Sequence, residues 1–368
     1  MHITELFSAA DLQAQLDAGM VKATPHPTGA LTIYNYTQRA QFTPELWNRV
    51  TDLCRGLIVD PTGNLVARAF EKFWNLEDAR HPETLFANLP ATPPLLTRKL
   101  DGSLGIGYQL GGRWQVATRG AFLSDQAVWA SAWLAENSPS VWPVGFTPVF
   151  EIVYPDNQIV VRYETSGLIL LALIEIATGE ELPYPELVAH GLRNRIPVVE
   201  SFDRPLSECL AEDIPNEEGY VASWPRPGTT PLRVKIKYAT YVRLHRLLTQ
   251  TNAVTVWEML RDSLDIAALT TDVPADFRAW IDATQLRFTS GFKAIEDAAR
   301  AAFATYPGSK DASDPEAKKA FALWVMANHK ELAPILFAMI GGKSYAPIIW
   351  KSIRPRGDEE KTFKVDEE

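Results

Sequence analysis

The chain has 368 residues, enough for two domains of ordinary size. Its 46% hydrophobic and 22% charged residues are those of a globular protein rather than a disordered one, and the absence of any apolar run of about 18 residues argues against a membrane span. The net charge of -9 argues against a uniformly basic nucleic-acid binder, yet Gly219 to Trp257 holds no Asp or Glu and contains Arg226, Arg233, Lys235, Lys237, Arg243 and Arg246.

No basic segment followed by an apolar stretch opens the chain, so no secretory signal is expected. Residues 8 to 19 are predicted as a helix capped by Ser8 and ended by Gly19. Leu31 to Tyr36 alternates like a strand. Cys54 and Cys209 lack metal-type spacing and are expected as free buried thiols in a reducing cytoplasm. Arg55 to Asp60 and Leu65 to Phe70 are predicted strands joined by the turn Pro61-Thr62-Gly63-Asn64. Leu104 to Leu110 and Trp114 to Thr118 form a predicted hairpin across Gly111-Gly112. Ser124 to Glu136 follows as a helix. Val149 to Val153 and Gln158 to Tyr163 are predicted to pair around Pro155-Asp156-Asn157. Leu168 to Ile176 is an apolar strand, Tyr184 to Asn194 a helix, and Tyr220 to Ser223 and Leu232 to Lys237 are further strands.

After about Tyr241 strand signals become sparse and helical periodicity takes over. The expected fold is therefore α+β over residues 1–244, with antiparallel sheets flanked by helices, followed by an all-helical domain over 245–368. Asp358 to Glu368 holds six acids and two lysines and is expected to fray.

Chemistry gathers in four places. Lys99-Leu100-Asp101-Gly102-Ser103 puts a lysine at a strand end before a tight Asp-Gly turn. Taken alone, Lys-x-Asp-Gly is also an ordinary hairpin. Phe150-Glu151-Ile152 sets one carboxylate inside an apolar strand, where it needs a cation or a polar partner. Glu217-Glu218-Gly219 places two acids before a glycine and a strand. Lys235-Ile236-Lys237 sets two ammonium groups on one strand face, where they repel unless an anion lies between them. The six histidines show no metal spacing, and no Walker-type phosphate loop is present.

The order of these elements resembles the covalent nucleotidyltransferases, the ligases and capping enzymes. Lys99 to Ser103 corresponds to their first motif and Phe150-Glu151 to the third. Glu218-Gly219 corresponds to the fourth and Lys235-Ile236-Lys237 to the fifth, with Gly167 to Ala172 as the apolar strand between. Upstream, Cys54-Arg55-Gly56-Leu57-Ile58 and Phe70-Glu71-Lys72-Phe73-Trp74-Asn75 resemble the N-terminal blocks of the T4-type RNA ligase 1 family. Thr118-Arg119-Gly120 also fits, with arginine where that family has lysine. The likeness covers about residues 30 to 245. A strand-rich barrel, as in DNA ligases, is not expected after it.

The resemblance implies an ATP-dependent RNA ligase with a nucleotidyltransferase domain over 1–244 and an RNA-selecting helical domain over 245–368. Lys99 would take AMP from ATP, pass it to an RNA 5′-phosphate, and a 3′-hydroxyl would then seal the strand. An unperturbed lysine, with a pKa of about 10.4, is a poor nucleophile at neutral pH, so neighbouring cations and a metal would have to favour its neutral amine. Arg55, Lys72, Asp101, Gly102, Ser103, Arg119, Glu151, Glu218, Gly219, Lys235 and Lys237 are implied to bind the nucleotide. Glu151 and Glu218 are implied to hold Mg2+ or Mn2+, and Glu151 alternatively the ribose. Tyr36 packs near the nucleotide or in the core. The expected partner is RNA with 5′-phosphate and 3′-hydroxyl ends, broken tRNA among the candidates, with no membrane. A cytoplasmic, phage-encoded monomer is expected. A GTP-using capping guanylyltransferase and a non-catalytic nucleotide- or RNA-binding module are the alternatives.

Overall fold

The computed structural model describes residues 1–357 together with Thr362 and Phe363. The expected frayed segment 358–368 otherwise lies outside the described residues. The chain divides into two compact units, Met1–Arg243 and a second that begins at Leu244.

Among the described residues thirteen strands form three sheets in the first unit. In chain order they are β1 (Val21–Pro25), β2 (Thr32–Tyr36), β3 (Arg55–Val59), β4 (Leu65–Ala67), β5 (Trp74–Asn75), β6 (Leu95–Lys99) and β7 (Ser103–Leu110). Then come β8 (Arg113–Ala117), β9 (Phe146–Val153), β10 (Gly167–Glu175), β11 (Ser201–Phe202), β12 (Gly219–Arg226) and β13 (Thr229–Lys237). The sheet orders are β1-β2-β3-β4, β10-β9-β7-β8 and β11-β6-β12-β13-β5. All pairs are antiparallel except β13 with β5. The expected α+β architecture is present, with a helical second unit.

Local signals set several elements. The Ser8 hydroxyl caps the helix Ala9–Asp17 by accepting from the Asp11 amide, and Ser124 caps Asp125–Asn137 through the Ala127 amide. Ile33, Ile58 and Ala67 of the first sheet bury against Ile106, Tyr108 and Ala117 of the second. On that sheet's other side, Ala130 and Leu134 of one helix and Leu187 of the helix Tyr184–Asn194 cover Phe150, Ile152 and Leu170. Each large apolar side chain fully buried this way contributes about 1.5–3 kcal/mol, which makes these two layers the main stabilising mass of the unit.

One expected strand is absent. Gln158–Tyr163 does not pair with β9, because β9 already lies between β10 and β7 and has no free edge. The turn Pro155–Asn157 leads instead into an irregular segment. There the Val160 and Val161 amides both donate to Asp101 Oδ2 at 2.8 Å.

The second unit is built on the 31-residue helix Ala275–Thr305. Ala302 and Tyr306 pack with Phe321, Val325 and Leu336 of the shorter helices. Trp257 donates its indole N–H to the Trp350 carbonyl at 3.0 Å, and the Phe363 ring lies 5.0 Å from that of Phe277. No helix among the described residues is long and apolar enough to cross a membrane.

Candidate functional site

Three strands of the third sheet bring the charged motifs abreast. Gly219, the first residue of β12, faces Lys99 of β6 on one side and Lys237 of β13 on the other. Its backbone has φ +137°, and a Cβ there would stand 2.0 Å from the Ile236 carbonyl oxygen, so only glycine fits. Directly before it, Glu218 is 1% exposed. Lys99 Nζ lies 2.7 Å and Lys237 Nζ 2.9 Å from the same oxygen, Glu218 Oε1. Both are at ion-pair distance without hydrogen-bond alignment, and Glu218 Oε2 has no hydrogen-bond partner among the described residues. One carboxylate thus serves two cations in a poorly solvated place.

Glu217, directly before Glu218, pairs instead with Arg98, which also holds Glu200. Lys235, two residues before Lys237, keeps the phase of Arg233 and Lys237 along β13. Its ammonium lies 4.9 Å from the centre of the Phe73 ring.

The turn after Lys99 is held from the second sheet. The Gly102 amide donates to Glu151 Oε1 at 2.9 Å. A Cβ on Gly102 would come within 2.5 Å of the Ile152 carbonyl oxygen, which accounts for the glycine. Ser103 Oγ donates to Asn157 Oδ1 at 3.0 Å. Asp101 is 5% exposed, and its carboxylate is engaged by protein groups on both oxygens. Oδ2 takes the two valine amides and Oδ1 accepts from the Tyr241 hydroxyl at 2.8 Å. The structure therefore gives Asp101 a place in the scaffold of the turn.

A second basic cluster surrounds Tyr36. Its hydroxyl accepts from Arg119 Nη1 at 2.7 Å and from Lys72 Nζ at 3.3 Å. Burial pushes the Tyr36 phenol up most strongly, but the charges of Arg55, Arg119 and Lys72 together leave it below its ordinary value. Burial likewise depresses Lys72, helped by repulsion from Arg55 and Arg119. The Lys72 ammonium stands 4.9 to 5.5 Å from the ring centres of Tyr36, Trp47 and Trp74. Glu71, beside it in sequence, faces away and pairs with Arg49 and Arg68. The Phe73 ring links the clusters, with Arg55 at 5.9 Å and Lys235 at 4.9 Å from its centre.

The structure thus groups Lys99, Glu218, Gly219 and Lys237 in one constellation, with Gly102, Ser103 and Glu151 around the adjoining turn. It groups Arg55, Lys72 and Arg119 in another, reached through Phe73 and Lys235. Sequence reasoning missed Trp47, Tyr163 and Tyr241 as site residues, since none has a charge pattern or spacing that marks it, and it noted Trp74 only within the block 70–75. Glu151 and Glu218 are the two carboxylates expected to hold a divalent cation, and they lie on either side of the turn that carries Lys99. No group of three or more His, Cys, Asp or Glu among the described residues forms an all-protein metal cage.

Residues 53–200 match the family model described as RNA ligase, of the T4 type. A protein of Thermovibrio ammonificans provisionally named RNA ligase is 34% identical over 201 residues, covering 51% of this chain and 51% of that one. RNA ligase 1 of bacteriophage TS2126 is 28% identical over 244 residues, covering 61% of this chain and 59% of the phage protein. The chain therefore spans about half to three fifths of the length of these curated relatives. A solved archaeal ATP-dependent RNA ligase is 14% identical, covers 91% of this chain and 96% of its own, and has a TM-score of 0.48, a likeness too loose to bear on activity.

Proposed function

We propose that this chain, whose residues 53–200 match the T4-type RNA ligase family model, is an ATP-dependent RNA ligase that carries AMP on Lys99. The observation that carries this reading is the Lys99–Glu218–Lys237 arrangement, in which a strand-end lysine shares one buried carboxylate with a second cation.

Lys99 Nζ attacks the α-phosphorus of ATP. An N–P bond forms, the bond to the pyrophosphate oxygen breaks, and Nζ gives up its proton. Attack requires the neutral amine. Glu218 favours the ammonium of Lys99 and Lys237, on the same carboxylate oxygen, opposes it, so Nζ must release its proton before it attacks. Lys235, Lys237, Arg55, Lys72 and Arg119 offset the charge of the phosphates. Glu151 holds the turn behind Lys99 through the Gly102 amide and fixes where Nζ emerges. AMP then passes to an RNA 5′-phosphate, and a 3′-hydroxyl displaces it to seal the strand.

A divalent cation, Mg2+ or Mn2+, fits this centre. Glu218 Oε2 is buried with no hydrogen-bond partner among the described residues, and a site of one or two carboxylates completed by phosphate oxygens needs no protein cage. Glu218 and Glu151 would hold it, and its charge would polarise the α-phosphate. Glu151 could contact ribose instead.

The helical unit from Leu244 onward is the proposed selector of RNA, with repair of broken RNA, including tRNA, as its purpose. The free buried thiols of Cys54 and Cys209 suit a reducing cytoplasm. The phage relative suits a phage-encoded enzyme acting in its host, and a monomer is the proposed state. The test is sealing. Single-stranded RNA with a 5′-phosphate and a 3′-hydroxyl, ATP and magnesium should yield joined product and AMP, and GTP should not replace ATP. Joining supported by GTP, or none with ATP, would end this reading.

A further inference from the structure

The irregular segment after Asn157 is gripped alternately by the two halves of the site. The Val160 and Val161 amides donate to the Asp101 carboxylate at 2.8 Å. Arg162 turns the other way: its amide donates to Asn216 Oδ1 at 2.7 Å, and its carbonyl accepts from Asn216 Nδ2 at 3.0 Å. Tyr163 turns back, and its hydroxyl oxygen accepts the Asp101 amide at 2.7 Å. Asp101 lies two residues after Lys99. Asn216 lies two residues before Glu218. The four residues 160–163 therefore tie the chain just beyond the nucleophile to the chain just before its carboxylate partner, by five hydrogen bonds.

From this geometry we propose that Val160–Tyr163 is a strap that sets the spacing of Lys99 and Glu218, with Tyr163 and Asn216 as its positioning residues. Its effect on AMP transfer rests on the reading of Lys99 as the nucleophile. The sheet register alone fixes the backbones of Lys99 and Gly219, since they face each other in β6 and β12. Glu151 and Tyr241 hold the turn after Lys99, and the Tyr238 amide holds the Glu218 carbonyl, each side separately. The strap bonds to both sides and so couples them to each other. Asn216 adopts φ +61°, a left-handed conformation that asparagine tolerates and that aims its amide at Arg162. Neither residue need touch a ligand to act.

Two variants remove the ties with little disturbance. Tyr163→Phe deletes one oxygen. Asn216→Gly keeps the left-handed backbone and deletes the amide at an exposed position. Single-turnover labelling with α-labelled ATP is measured across ATP concentrations, beside melting curves and amide hydrogen exchange. Each variant should lower the saturating rate by about 10- to 100-fold, the loss expected from displacing a reacting group by a fraction of an ångström to an ångström. Half-saturating ATP should stay within about twofold, because uniform binding is untouched. The double variant should lose less than the product of the single losses, because both ties act on one strap. Exchange should quicken over 100–103 and 160–163 but not in the helix Tyr184–Asn194. An unchanged saturating rate, or a loss confined to half-saturating ATP, would overturn the proposal. Unlabelled wild-type protein would refute the ligase reading instead. The exchange arm would still decide on the strap, since unchanged exchange in both variants overturns it without any reference to ATP.

Discussion

Lys99 Nζ and Glu218 Oε1 stand 2.7 Å apart at the facing ends of β6 and β12, and Lys237 reaches the same oxygen from β13. The antiparallel register puts Gly219 opposite both lysines, so the sheet itself delivers the three charges to one point. A buried carboxylate between two ammonium groups holds both in place, and its removal leaves like charges facing each other in a poor solvent. Glu218→Gln is expected to lower stability by about 3 kcal/mol. AMP transfer should fall by at least about 100-fold. Denaturant unfolding and single-turnover labelling measure the two effects. A variant with wild-type stability and rate would remove Glu218 from the mechanism.

Gly219 and Gly228 separate strain from simple loss of flexibility. At Gly219 a Cβ meets the Ile236 carbonyl oxygen at 2.0 Å, whereas at Gly228, with φ +73°, nothing lies within 4 Å. Gly219→Ala is expected to cost about 2–4 kcal/mol and to disturb the Lys99–Lys237 register. Gly228→Ala should cost only about 1–2 kcal/mol, the penalty for the left-handed backbone alone. Equal unfolding midpoints for the two variants would contradict the packing argument.

Tyr36 is the shared acceptor of Arg119 and Lys72, and its ring also lies 4.8 Å and 4.9 Å from their charged groups. Tyr36→Phe keeps the ring and removes the acceptor. Loss of a charged hydrogen bond is worth about 1.5–3 kcal/mol, so affinity for a non-hydrolysable ATP analogue should fall by about tenfold or more. Isothermal titration calorimetry reads this directly. Unchanged affinity would mean that the cations orient without the phenol.

Asp52 provides a pH test. Burial chiefly, and then the neighbouring Glu71 charge, raise its carboxyl from 3.8 to about 6 in the folded chain. The folded state therefore holds this proton more tightly than the unfolded chain does. Asp52 is penalised for ionising, and stability from this group falls as pH rises from about 4 through about 6. Asp52→Asn should raise the melting temperature at pH 7.5, by an amount corresponding to ~1 kcal/mol. The gain should shrink as pH falls through about 4 and be nearly gone by about pH 3, where Asp52 is mostly protonated in both states. A gain independent of pH would assign the effect to packing.

Local signals were readable where local chemistry decides structure. Ser124 marks its helix because its hydroxyl satisfies the free Ala127 amide, and the hairpin across Gly111-Gly112 follows from turn chemistry. The Lys235–Lys237 face was readable because strand period is two. Gln158–Tyr163 looked like a strand from its apolar residues, but its amides bind a carboxylate about sixty residues away in sequence, and no local pattern announces such a partner. Tyr163, Tyr241 and Trp47 reach the site by tertiary packing, which leaves no spacing to read.

The most direct measurement is peptide mass spectrometry of the protein after incubation with ATP and magnesium, followed by denaturation and digestion. One AMP adduct is expected on the peptide carrying Lys99, removed by treatment with pyrophosphate and absent in Lys99→Ala. An adduct on another residue, or no adduct in protein first cleared with pyrophosphate and then given fresh ATP, would contradict it.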